Sequence, residues 1–143
     1  MSDTCETLLL KNQLCFPLYA TAKALVRKYE PFLEPLGLTY TQYIVMLVLW
    51  EKDHVTVNEV GEAVCLDSGT LSPLLKKLEA KGYLEKDKAK DSRFRILSLT
   101  PEGVALKEKA KEIPAKVGSC LGLSLQEAQQ LYVLCYKALG NLS

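Results

Sequence analysis

Between Leu66 and Leu84 the chain reads LDSGTLSPLLKKLEAKGYL, and its apolar residues Leu71, Leu74, Leu75 and Leu78 recur at spacings of three and four. That period places them on one face of a helix as a single buried stripe. The other face is polar and then basic: Ser68, Thr70 and Ser72 come first, and Lys76, Lys77 and Lys81 follow. Gly82 is a helix stop. Upstream, Thr56-Val57-Asn58-Glu59 has the spacing of a reciprocal capping box and opens a shorter helix to about Val64. Cys65-Leu66-Asp67 then makes a three-residue turn with Asp67 as N-cap of the next helix, the spacing of a helix-turn-helix. Pro73 would remove a backbone bond within that second helix, so its start is expected nearer Thr70.

Downstream, Tyr83–Lys86 and Phe94–Leu99 alternate in part and are joined by the polar loop DKAKDSR, which predicts two antiparallel strands with an exposed tip, a β-wing. Lys76 to Arg95 holds eight cations (Lys76, Lys77, Lys81, Lys86, Lys88, Lys90, Arg93 and Arg95) against four acids, an excess of 8 − 4 = +4, whereas the whole chain carries +1. A lone amphipathic helix or a lone charged hairpin is ordinary solvated surface; the two together favour DNA. Lys76, Lys77, Lys86, Lys88, Lys90, Arg93 and Arg95 are then candidate backbone or minor-groove contacts, and Ser68, Thr70 and Ser72 candidate contacts to base edges.

The flanks are helical. Leu8 to Tyr29 carries Cys15, Tyr19, Ala22, Val26 and Tyr29 along one face and Leu10, Leu14, Leu18 and Leu25 along the next, with Pro17 expected to bend the helix or mark a fault in it. Thr39 to Gln42 is a capping box that opens a helix to Trp50. Thr100 and Pro101 open another, expected to reach about Val117 despite Pro114. Gly118 to Leu123 is a break containing Cys120, and Ser124 to Glu127 caps a last apolar helix. Both ends carry more apolar surface than a lone outer helix can bury, which predicts a homodimer through the N- and C-terminal helices with two reading heads. The fold expected is mainly α with a small β-wing: a winged helix-turn-helix region over 36–100, flanked by helical dimerisation segments over 1–35 and 101–143.

At 143 residues the chain is one domain by length. It has neither a basic start followed by an apolar run nor a window long enough to span a membrane, so no membrane partner and a cytoplasmic location are expected. Five scattered cysteines without a C-x-x-C pair and a single His54 suggest no zinc site, no cofactor and no secreted disulfide framework. Cys5, Cys65 and Cys135 read as core filler.

With these elements placed, the sequence closely resembles the multiple antibiotic resistance regulator (MarR) family of winged-helix repressors, and within it the organic-hydroperoxide-sensing OhrR branch. The resemblance rests on Asn12-Gln13-Leu14-Cys15-Phe16, on YTQYIVMLVLWE from Tyr40, on Leu66 to Glu79, and on Asp91-Ser92-Arg93 leading into Leu99-Thr100. It implies that Cys15 is a peroxide-sensing thiol, that Tyr19, Tyr29 and Tyr40 hold its sulfur across a dimer interface, and that Cys120 is a candidate resolving cysteine for the Cys15 of the other chain. Ser92 stands where an acid is common in the family's wing, although Asp91 and Arg93 can still pair. The chemistry of the residues agrees: a thiolate attacks peroxide to give a sulfenic acid, and phenolic donors favour the thiolate. The function expected is a redox-sensing DNA-binding transcriptional repressor that answers organic hydroperoxide and is not an enzyme. A regulator answering a phenolic or antibiotic-like ligand, and a cysteine-based thiol peroxidase, are the alternatives.

Overall fold

The stripe of Leu71, Leu74, Leu75 and Leu78 is buried in the computed structural model, which describes residues 5–143. A first unit, ending at Lys111, holds α1 (Cys15–Leu33), α2 (Tyr40–Glu51), β1 (Val55–Thr56), α3 (Val57–Val64), α4 (Ser68–Ala80), β2 (Leu84–Lys86), β3 (Ile96–Leu99) and α5 (Pro101–Ala110). The second unit, Glu112–Ser143, holds α6 (Ile113–Ser119) and α7 (Leu125–Leu142). The sheet is antiparallel in the order β1-β3-β2, with Val55 opposite Leu97 and Leu84 opposite Leu99. Two-residue β1 carries too little alternation to read as a strand from sequence, and the expected hairpin is therefore a three-stranded sheet.

Prolines account for most departures from the expected helices. The helix expected from Leu8 begins only at Cys15, after 3-10 turns at Glu6–Leu8 and Leu10–Asn12 and an extended Gln13 at ψ 116°. Extended backwards, the helix would drive the Pro17 ring into the Gln13 carbonyl four residues before it; in the first turn the missing N–H has no intrahelical acceptor and costs nothing. The helix expected from Pro101 to Val117 is two helices, because Pro114 cannot bond the Ala110 carbonyl and α5 ends there. Cys120 accordingly caps α6, and the break is shorter than Gly118 to Leu123. At Pro73 the opposite holds. Helix α4 starts at Ser68, not near Thr70, and runs through the proline. An interior proline costs about 3 kcal/mol, whereas each buried leucine contributes about 1.5–3 kcal/mol, so four leucines outweigh it.

Helix α4 ends as expected. Gly82 takes a left-handed φ of 81°, its N–H donates to the Glu79 carbonyl at 3.0 Å, and the Tyr83 N–H donates to the Leu78 carbonyl at 3.1 Å. The chain then passes so close to α5 that a Cβ on Gly103 would lie 2.1 Å from the Tyr83 carbonyl oxygen. Thr100 caps α5 by accepting from the Gly103 amide at 3.0 Å and donates to the Gly82 carbonyl, while the Trp50 indole donates to the Gly103 carbonyl at 2.9 Å. One junction thus joins the end of α4, the foot of the wing, α5 and α2.

Behind it, Tyr29 of α1 and Tyr40, Tyr43 and Trp50 of α2 form a run of aromatic contacts. Ring centroids are 4.9 Å apart for Tyr29–Tyr40, 5.5 Å for Tyr29–Tyr43 and 6.5 Å for Tyr43–Trp50. Burial, reinforced by the neighbouring phenols, pushes the Tyr43 hydroxyl up to about 12, and burial raises Tyr29 and Tyr40 in the same direction.

Two outcomes follow for stability. Gly103→Ala should destabilise the fold by about 3 kcal/mol, since its neighbour is backbone and cannot turn aside; Gly118→Ala, with open space around its Cβ, should be neutral or slightly stabilising. Urea titrations of both proteins compare them. Because the folded state holds the Tyr43 proton above the ordinary phenol value of 10.0, stability should be intact below about pH 10 and decline as pH rises toward 12. The unfolded chain gives up that proton first. Tyr43→Phe should flatten this alkaline decline in melting temperature measured against pH.

Candidate nucleic-acid interface and thiol site

The start of α4 is set by Asp67, which accepts from the Thr70 amide at 2.7 Å. That hydrogen bond holds the Asp67 carboxyl below its usual range, so the cap keeps its charge beside the positive end of the helix. Helix α3 is capped by Thr56, which accepts from the Glu59 amide at 3.1 Å, the forward half of the expected box. Cys65, between the helices, adopts a left-handed φ of 57°, and the Leu66 N–H donates back to the Gly61 carbonyl at 3.0 Å. With the leucines inward, Ser68, Thr70, Ser72, Lys76 and Lys77 are all exposed on the outer face. Ser68, Ser72 and Lys76 follow one i, i+4 row along it. Lys81 is not part of this face: its ammonium donates to the Gly37 carbonyl and to Gln42 Oε1, the latter at 3.0 Å, and ties the end of α4 to the start of α2.

In the wing, Asp91 holds Arg93 through Nη2 at 2.8 Å, Nε at 3.2 Å and the Arg93 amide at 3.0 Å. The pairing lowers the Asp91 carboxyl and raises the Arg93 guanidinium. Asp87 Oδ1 accepts from the Ala89 and Ile96 amides at 3.3 and 3.0 Å, and the Arg95 Nε donates to the Ala89 carbonyl at 3.4 Å, so the tip is closed by its own acids and carbonyls. Lys88, Lys90 and Arg93 are exposed, and Lys86 and Arg95 half-buried. Arg93 also lines a groove of about 380 Å³ with Cys65, Asp67 and Ser68, bringing the wing tip beside the start of α4. Phe94, expected in a strand, instead ends the 3-10 turn Ser92–Phe94 and is exposed.

Cys15 is the first residue of α1 and is exposed, and the free N–H groups of that first turn are donors available to an anion. Tyr19 lies one turn along the same face, also exposed, with the Lys23 ammonium 5.2 Å from its ring centroid. The other two expected phenols, Tyr29 and Tyr40, are together, but fourteen residues of continuous helix put Tyr29 about 21 Å along the axis from Cys15. One chain therefore brings Cys15 beside Tyr19 only. The raised Tyr29 and Tyr40 hydroxyls stay protonated at neutral pH and so remain hydrogen-bond donors. Asn12 and Gln13, beside the thiol, have local structural work: their side-chain amides donate to the Glu6 and Thr7 carbonyls, each at 2.7 Å, and hold the preceding turns. Cys120 is exposed at the end of α6, its thiol 3.4 Å from the Lys116 carbonyl. Cys5, Cys65 and Cys135 are exposed rather than core, because Cys5 precedes the first turn, Cys65 occupies the turn between helices and α7 buries none of its residues in this chain.

A family model described as "Transcriptional regulator SarA/Rot" matches residues 27–110. The chain is similar to the organic hydroperoxide resistance transcriptional regulator of Bacillus subtilis, at 43% identity over 132 residues that cover 92% of this chain and 88% of that protein. It is also similar to the HTH-type transcriptional regulator SarZ of Staphylococcus aureus, at 41% identity over 88% of this chain and 86% of that one. Among solved structures, AbfR of Staphylococcus epidermidis is 34% identical in its reduced, DNA-bound form, with a TM-score of 0.78 and 96% of both chains covered; it is also known overoxidised on DNA and in a disulfide form. With the helix-turn-helix, the three-stranded sheet and the wing in place, the chain belongs to the SarA/Rot family of transcriptional regulators, a MarR-like winged-helix family.

Proposed function

We propose that this protein is a cytoplasmic repressor that binds a pseudo-palindromic DNA operator as a homodimer and releases it when an organic hydroperoxide oxidises Cys15. The observation that carries the reading is the separation of Cys15 and Tyr19 from the Tyr29–Tyr40 pair along a single helix. A sulfur held by all three phenols requires a second chain whose α1 runs the other way, so that each thiol meets the partner's phenol pair. Apolar surface left open in one chain agrees with this, at Leu14, Phe16 and Leu18 of the α1 end and at Leu131, Val133, Leu134 and Leu139 of α7. Two copies also give two reading heads, as a two-fold operator requires.

The chemistry is stoichiometric. The Cys15 thiolate attacks the terminal oxygen of ROOH, the O–O bond breaks, and the alkoxide leaves as ROH with a proton. Sulfur loses two electrons and becomes a sulfenic acid. Tyr19, with Tyr29 and Tyr40 of the second copy, donates to the sulfur. The apolar side chains of Leu14, Phe16 and Leu18 suit the organic group of the peroxide. Cys120 of the second copy then attacks the sulfenic sulfur and water departs, leaving a disulfide between subunits. Its Cα atoms must lie within about 7 Å, and that constraint draws the helical ends together and respaces the heads.

Cys15→Ser should bind the operator as tightly as wild type and ignore cumene hydroperoxide in a gel-shift titration; release at the wild-type dose would remove Cys15 from the mechanism. Cys120→Ser should still be oxidised at Cys15 but give no covalent dimer on non-reducing electrophoresis. A dimer persisting in that variant would assign the bridge to another cysteine.

A further inference from the structure

Phe94 is 58% exposed, an aromatic ring at the tip of a wing whose neighbouring exposed side chains include Lys88, Lys90 and Arg93. Its side chain is not what closes the tip. The turn is held by the Phe94 N–H on the Asp91 carbonyl at 3.1 Å and by the Asp87 carboxylate, and strand pairing resumes at Ile96. The ring sits beside a held cation: Asp91 grips Arg93, and the Arg93 guanidinium carbon stands 5.6 Å from the Phe94 ring centroid. Cation and ring are thereby presented side by side at the tip.

The geometry points to Phe94 as a DNA-contacting residue that packs against the deoxyribose walls of the minor groove beside Arg93. This deepens the proposed DNA-binding role and rests on it. The charge around the ring selects the occupant, because a surface ringed by cations attracts a polyanion and repels a basic protein face. The minor groove has the matching chemistry: its negative potential draws arginine, its walls carry the carbon atoms of the sugars, and proteins that bind there often bring phenylalanine or leucine side chains to the DNA. The division of labour is thermodynamic. A cation that neutralises a phosphate releases counterions and makes affinity fall with salt, whereas a ring that displaces water from sugar releases none. Phe94 therefore supplies the salt-independent share of the wing's affinity.

The test uses the full-length protein and a duplex enriched from a random-sequence pool by the wild type, with affinity measured across a salt series. Phe94→Ala should bind about tenfold more weakly for each wing at every salt concentration, the loss expected for uncovering one large apolar side chain. Its slope of log K against log[salt] should equal that of the wild type. Phe94→Leu should recover most of the loss. Arg93→Gln should instead make the slope shallower by about 0.9 for each wing. Wild-type affinity in Phe94→Ala overturns the proposal, and so does a slope change matching that of Arg93→Gln, which would make the ring only a support for the arginine. Failure of the wild type to enrich any duplex overturns the DNA-binding reading itself, and the Phe94 assignment with it. The residue's exposure predicts an unchanged thermal midpoint for Phe94→Ala, and a lowered midpoint alongside lost affinity would assign the effect to folding.

Discussion

The rest of the fold turns on the approach of two backbones, Gly103 against the Tyr83 carbonyl, where there is no room for a methyl group. Four elements of the first unit meet at it. Helix α4 ends at Ala80 and is stopped at Gly82, β2 begins two residues after that glycine at Leu84, α5 starts at Pro101, and Trp50 reaches the Gly103 carbonyl from α2. The contact is made of backbone, so it tolerates little adjustment and fixes the wing relative to the recognition helix. Side-chain bonds complete it: Thr100 serves both as cap of α5 and as a donor to Gly82, and Tyr83 donates from its hydroxyl to the Leu36 carbonyl at 2.9 Å. The wing and α4 are thus held relative to one another by groups that cannot slide.

Much of this architecture is legible in the residues because its signals are local. Capping side chains at Thr39, Asp67, Thr100 and Ser124, the glycine stop at Gly82 and the leucine period of α4 each act within one or two turns, and each does what its spacing predicts. Where reading by period fails, a longer-range term has won. Pro73 looks like a boundary, yet the buried leucines carry the helix through it. Pro17 and Pro114 look tolerable, yet no comparable gain opposes them and the helices divide. Strand β1 is only two residues long and exists because β3 is there to pair with it, which no local pattern announces.

The expected DNA-facing residues could be picked out by composition, but their surroundings could not. Lys81 has the spacing of Lys76 and Lys77, and only the fold shows its ammonium spent on Gly37 and Gln42. Arg93 is tied to Asp91, and Phe94 shifts from an expected strand to an exposed turn because Asp91 accepts from the Arg93 amide and tightens the chain there. The exposure of Cys5, Cys65 and Cys135 was likewise not readable from their types, since a small sulfur side chain fits a core or a turn equally well and the backbone decides.

Helix α1 acts as a spacer as well as a packing element. It keeps the thiol end and the phenol end of one chain about 21 Å apart, so on the two-chain reading no folded monomer owns a complete sensor. Sensing then becomes subject to mass action. The fraction of thiols in their competent surroundings follows the dimerisation equilibrium, and the cell's concentration of the protein helps set its peroxide threshold alongside the intrinsic reactivity of sulfur.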